Sequence, residues 1–234
     1  QAYIDWNYLP LNMMINYQIP RLPGSSFLQN TVFVLLTLIV LLPLSARAAS
    51  DKLLIVGDSL SAAYGIPVEK GWVAELENKL DGTRFLIDVV NASVSGDTTA
   101  NGLTKMPALV DEHQPAFVII ELGGNDGLRG QSIKKMSQNL TEMTQIATGA
   151  GAQVIIVGMQ IPSNYGAAYT RMFRDAFGKV ADTNDAHLVP FLLRGLESGL
   201  EWFQSDGVHP NVEAQPIMMN NIWEVLEPLL EENY

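Results

Sequence analysis

From residue 53 onward the chain alternates between two hydrophobic patterns. Five apolar runs, residues 53–56, 85–90, 117–122, 154–157 and 188–191, are largely continuous rather than alternating, as expected of strands covered on both faces. Between them, Trp72, Leu76 and Leu80 recur at helical spacing, as do Ile133, Met136, Leu140, Met143 and Ile146, with Ser132 placed to cap and Gly149 to stop. A last stripe runs through Ile217, Met218, Ile222, Val225, Leu226 and Leu229. These stripes read as core packing, methionines included. Five strand–helix repeats predict an α/β fold over residues 49–234, a five-stranded parallel sheet with helices on both faces in a three-layer α/β/α sandwich. No second domain, linker or internal repeat is visible.

The first 48 residues follow another pattern. Residues 1–30 have no helical or strand period and carry one basic residue, Arg21, and one acid, Asp5. A charge-free apolar core, residues 31–44, precedes Ser45, Ala46, Arg47 and Ala48. A run shorter than the roughly 18–20 residues that span a bilayer, ending in a small-x-small site, is the pattern of a secretory signal peptide. Cleavage after Ala48 would leave Ala49 first and send the product to the bacterial periplasm or the medium. A retained anchor competes, because the charge-free stretch extends back to Leu22, but Pro43 and the Ala46-Arg47-Ala48 site oppose it. A start at Met13 or Met14 would make Arg21 the signal's positive charge.

Composition narrows the partners. The chain has 234 residues, 47% of them hydrophobic, enough for one ordinary core. Net charge is −11 and the pI about 4.6, so a surface that tracks phosphates, and with it nucleic acid, is excluded as a partner class. With no cysteine there is no thiol nucleophile or disulfide, and with three histidines, His113, His187 and His209, a histidine-rich metal centre is not expected.

The chemistry begins at Gly57-Asp58-Ser59-Leu60-Ser61, directly after the first apolar run. A serine there stands at the strand's C-terminal edge, where open α/β sheets place their ligands. Alone it reads equally well as a turn or cap residue. The same edge receives the segments after the other strands. After the second run comes Gly96, whose N–H is free to donate; after the third come Gly123, Gly124, Asn125 and Asp126, where an amide can donate into the same space. Singly, each reads as a plain turn. After the fifth come Asp206, Gly207, Val208, His209 and Pro210. An acid three residues before a histidine can fix which ring nitrogen carries the proton and leave the other to face Ser59. His113 and His187 lack such an acid and read as surface or cap groups. The lipase-type GxSxG elbow is missing. Asp58, Asp97 and Asp126 also fall near this edge and read as acceptors that hold loops.

Taken in order, GDSLS, the SGDTT around Gly96, GGND and DGVHP resemble the SGNH or GDSL hydrolases, among them bacterial periplasmic enzymes described as thioesterase, protease and lysophospholipase. The likeness covers nearly all of the chain after residue 48, including NASVSGDTT, ELGGNDGLRG, the NYG at 164–166 and DGVHPN. It implies a flavodoxin-like sheet, Ser59 as nucleophile, Asp206 and His209 as the rest of a triad, and an oxyanion hole from Ser59, Gly96 and Asn125. It also implies an acyl site lined by the loop 127–131 and the segment 161–165, with Gly127, Leu128, Ile161, Pro162 and Tyr165 as contacts. Departures are Ala63, where relatives often carry glycine, and Gln160, where some carry a basic residue.

The expected function is hydrolysis of acyl esters and thioesters through an acyl-enzyme, lysophospholipids included, with no metal or organic cofactor. The protein is expected to be a monomer that meets the membrane only through its signal segment or an uncleaved anchor. Two other readings use the same fold: a carbohydrate acetyl- or aryl-esterase, and a non-catalytic envelope-bound binding module. A nucleotide-binding flavodoxin-type protein fits poorly, since the first turn offers one glycine and an acid where a phosphate cradle needs several glycines.

Overall fold

The computed structural model describes residues 50–197 and 199–234; the segment expected to be a signal peptide lies outside the described residues. Along the chain run β1 (Asp51–Gly57), α1 (Trp72–Asp81), β2 (Ile87–Asn91), α2 (Thr99–His113), β3 (Phe117–Glu121), α3 (Gly124–Leu128), α4 (Ile133–Gly149), β4 (Gln153–Val157), α5 (Ala167–Thr183), β5 (His187–Val189) and α6 (Gln215–Asn233). All five strands are parallel, in the order β2-β1-β3-β4-β5. Helices α1 and α6 pack together, while α4 packs against both α2 and α5, giving the expected three layers.

The apolar runs are strands because both of their faces are covered. Leu53, Leu54, Ile55 and Val56 of β1 and Val118, Ile119 and Ile120 of β3 are fully buried. Each such side chain contributes roughly 1.5–3 kcal/mol by leaving water. Two strand boundaries differ from the sequence reading. The second strand begins at Ile87, after Phe85 has turned into the core, and the fifth is only three residues long. Pro190 follows it and has no N–H to extend the ladder.

Strand order places the site. The chain leaves β1 toward one side of the sheet and β3 toward the other, so a crevice opens between their C-terminal ends. Register sets the two ends level: Gly57 of β1 pairs with Glu121 of β3. Ser59 lies two residues beyond the first, and Asn125 four beyond the second.

Candidate active site

After Gly57 the chain turns at once, and the turn is held by Asp58. Its Oδ1 accepts from the N–H of Leu60 at 3.1 Å, its carbonyl accepts from Ala62 at 3.0 Å, and the Ser59 carbonyl accepts from Tyr64 at 3.1 Å. Only glycine fits at 57, because a Cβ there would lie 2.6 Å from Ser61 Oγ and 2.9 Å from Glu121 Oε2. Ser59 is thereby presented on the outside of a tight coil at the crevice.

The segment that brings His209 is self-braced. Phe203 and Pro210 form an isolated antiparallel bridge, and the Gln204 N–H donates to the His209 carbonyl at 2.8 Å. The Gln204 amide also donates to the carbonyls of Tyr64 and Pro210, tying the segment to the turn after β1. Within it, Asp206 Oδ1 accepts from the N–H groups of Val208 and His209 at 2.9 and 3.0 Å, and Oδ2 stands 2.7 Å from His209 Nδ1. On the far side of the ring, Nε2 is 3.0 Å from Ser59 Oγ. The Asp206 carboxyl is held at about 2, below its ordinary 3.8, by the His209 N–H first, then the His209 ring and the Val208 N–H. It is therefore ionised at neutral pH and fixes the Nδ1 proton, leaving Nε2 to accept from the serine.

Gly96 reaches the site because the chain after β2 continues alongside β1: Ala92 donates to the Ile55 carbonyl and Val94 to that of Gly57. Gly96 sits at φ +85°, a conformation that other residues rarely adopt. Among the described residues, neither its N–H nor that of Ser59 finds a hydrogen-bond partner, so both are available to an incoming acceptor. The Asn125 amide lies in the same place but is engaged, donating to Asp58 Oδ2 and to the Asp97 carbonyl, both at 3.0 Å.

Asp58, Asp97 and Asp126 hold loops, as expected of them. Asp58 binds Leu60 and Asn125, Asp97 pairs with Lys105 at 2.5 Å, and Asp126 takes both the N–H and hydroxyl of Thr99, joining α3 to the start of α2. Burial pushes Asp58 up to about 6, against the lowering effect of its hydrogen bonds to Leu60 and Asn125. Beneath it, Glu121 is completely buried and is raised well above the ordinary range, first by burial and then by the neighbouring Asp58 charge. Glu121 Oε2 accepts from Ser61 Oγ at 2.7 Å, whereas Oε1 has no partner among the described residues. A protonated acid fits that setting.

The expected acyl-site residues come together in part. Gly127, Ile161 and Phe173 are in close packing, Tyr165 donates from its hydroxyl to the Leu128 carbonyl at 2.8 Å, and Pro162 accepts from the Tyr165 N–H. Gly127 and Ile161 are buried beneath, while Leu128 and Tyr165 are exposed above. One correction applies: Gly127 and Leu128 are not loop but the end of α3, and the turn proper starts at Arg129.

Three neighbours were not legible beforehand. The ring of Tyr64 packs on His209 with centroids 4.5 Å apart, Arg129 reaches the Gly96 carbonyl, and Tyr169 donates to the Gln131 carbonyl. None of the three carries a local sequence signal, whereas Glu121, a fourth such neighbour, offered one as a carboxylate closing an otherwise apolar strand. Among the described residues no cluster of three or more His, Cys, Asp or Glu is placed to hold a metal, and no helix is long and apolar enough to cross a membrane.

On this parallel sheet Ser59, His209 and Asp206 converge beyond the C-terminal edge of β1 in the arrangement of a serine–histidine–aspartate triad. The chain belongs to the GDSL-like lipase/acylhydrolase family, whose model matches residues 55–216. It is 47% identical over 192 residues to esterase TesA of Pseudomonas aeruginosa, covering 82% of this chain and 96% of that one. It is 45% identical to an arylesterase of Vibrio mimicus (78% and 92% covered), and 40% identical to thioesterase 1/protease 1/lysophospholipase L1 of Escherichia coli K12 (80% and 88% covered). A crystal structure of TesA matches with a TM-score of 0.75 at 47% identity, over 76% of this chain and 99% of that one.

Proposed function

We propose that this protein is a serine hydrolase of carboxylic esters and thioesters that works through an acyl-enzyme. Ser59 is the nucleophile. His209 takes its proton through Nε2 during attack and returns it to the leaving alcohol or thiol, while Asp206 holds the ring and balances the imidazolium. The N–H groups of Ser59 and Gly96 and the amide of Asn125 receive the negative charge that develops on the carbonyl oxygen. Water activated by the same histidine then releases the acyl group.

The observation that carries this reading is the unbroken line from Asp206 Oδ2 to His209 Nδ1 at 2.7 Å and from His209 Nε2 to Ser59 Oγ at 3.0 Å. The relatives' names, with esterase, arylesterase and thioesterase among them, support acyl ester and thioester substrates. A carbohydrate acetylesterase and a non-catalytic module draw no such support. The substrate is a fatty acyl ester or thioester, lysophospholipid included, whose acyl chain lies along Gly127, Leu128, Ile161, Pro162 and Tyr165. The chain acts as a monomer. Residues 1–48 hold an N-terminal extension and a signal peptide with its apolar core at 31–44, cut after Ala48, and residues 49–234 work in the periplasm or outside the cell.

The test is hydrolysis of a chain-length series of p-nitrophenyl and acyl-CoA esters by the mature protein and by Ser59→Ala. The variant should lose about a thousandfold or more; equal rates would refute the assignment of Ser59. N-terminal sequencing of exported protein should begin at Ala49.

A further inference from the structure

Of the three expected oxyanion donors, Gly96 is the one whose direction nothing in its own side chain can fix. Glycine is the most permissive backbone residue, and this one stands at φ +85° with its N–H unpaired among the described residues. Its geometry therefore has to be imposed by neighbours. The turn 92–97 is gripped at three carbonyls. Lys105 donates to Ala92 at 3.0 Å and pairs with the Asp97 carboxylate, Asn125 donates to the Asp97 carbonyl at 3.0 Å, and Arg129 Nη2 donates to the Gly96 carbonyl at 3.1 Å. The peptide unit between Gly96 and Asp97 is held from both sides, its N–H donating to the Val94 carbonyl at 3.1 Å and its carbonyl accepting from Arg129, the one side chain among these that reaches Gly96 itself.

Arg129 has a second connection. Its backbone N–H donates to the carbonyl of Asn125 at 3.2 Å, closing the last turn of α3. The side chain of Arg129 thus reaches the turn of Gly96 from the end of the short helix that carries Asn125. The side chain is exposed, and its planar fork of N–H donors suits a carbonyl acceptor. A hydrogen bond from a charged donor is the stronger kind. Holding the carbonyl of Gly96 limits rotation about its ψ, and with it the freedom of the adjoining Ser95–Gly96 peptide that carries the N–H.

We infer that Arg129 is a positioning residue for the oxyanion hole, clamping Gly96 to the helix that carries Asn125. The inference rests on the proposed hole and goes beyond it by naming what holds the hole in shape. Because Arg129 is exposed, truncating it should not unfold the protein.

The experiment compares wild type, Arg129→Ala, Arg129→Lys and Ser59→Ala on a short p-nitrophenyl ester, together with binding of a trifluoromethyl ketone that forms a tetrahedral adduct. Arg129→Ala should lose about tenfold in kcat with KM within twofold, and lose adduct affinity by the same factor, because only the charged tetrahedral species uses the hole. Arg129→Lys should recover part of both. In amide spectra, the Gly96 N–H signal of Arg129→Ala should broaden or shift while core signals stay in place. An unchanged kcat and Gly96 signal, or a loss confined to KM, would overturn the inference. A wild type that is inactive, or as active as Ser59→Ala, would instead overturn the reading of the site.

Discussion

Asn125 and Asp58 are joined side chain to side chain: Nδ2 of the amide donates to Oδ2 of the acid at 3.0 Å, and the same nitrogen donates to the Asp97 carbonyl at 3.0 Å. A primary amide has two protons. Both are committed in the resting site, so an oxyanion must share one of them or displace an acceptor. The two bonds also aim the amide in advance, which is what makes a donor effective in a transition state.

Asn125→Ala should accordingly lower kcat about 100- to 1,000-fold, with a much smaller change in KM. Steady-state kinetics on a soluble ester checks this. The variant should also move the Asp58 titration further upward, since the amide is one of the groups that favour the ionised acid.

Asp58 gives stability a pH dependence. Its carboxyl titrates at about 6 when folded against 3.8 ordinarily, so between those values the folded state holds more protons than the unfolded state. Stability from this group is greatest below about pH 4 and is lost as pH rises through 6. Asp58→Asn removes the titration but also sacrifices an acceptor for Leu60 or Asn125. Its melting temperature, whatever its offset, should therefore gain on wild type between pH 4 and pH 7.5. A difference that stays flat with pH would contradict the raised pKa.

Asp206 has the opposite sign. Its folded pKa of about 2 lies below 3.8, so the stability it contributes is fully present above about pH 4 and disappears as pH falls through 2. The side chain is 42% exposed, which keeps that contribution small. Its effect on turnover should be large: Asp206→Asn presents an amide to Nδ1, favours the wrong tautomer, and should reduce kcat about a thousand- to ten-thousandfold near pH 7. The stability gap to wild type should close in melts taken near pH 2.

Gly57→Ala tests the close packing under Ser59. The added methyl would lie 2.6 Å from Ser61 Oγ and 2.8 Å from its Cβ. A cost of about 1–3 kcal/mol in chemical denaturation is expected, with activity lost as the turn carrying Ser59 shifts.

What could be read from the sequence follows from which residues carry the information. Strands β1, β3 and β4 are buried on both faces and announce themselves as apolar runs. Helices α1, α4 and α6 show apolar stripes. Helix α2 does not, because its buried face is Thr99, Gly102, Met106 and Val110; Gly102 is there so that Leu122 and Met143 can approach, which a Cβ would block at 2.2 Å and 3.0 Å. Helix α5 has helical spacing in Phe173, Phe177 and Val180, but no side chain caps its start. In the site, the serine, acid and histidine carry recognisable spacing. The contacts of Tyr64, Arg129 and Gln204 depend on loops folding back across long sequence separations, which no local pattern encodes. Ala63 is a partial exception: it adopts φ +54°, a left-handed conformation that favours glycine, which fits the glycine that the family resemblance led one to expect there.

The brace between Phe203 and Pro210 closes one short loop that carries both Asp206 and His209, hydrogen-bonded to each other within it. Reactive geometry is then governed by a single separation, from that loop to the serine, rather than by two independent ones. Loosening the Gln204 tether to Tyr64 would carry Asp206 and His209 away together, still correctly paired but out of reach of the Ser59 hydroxyl.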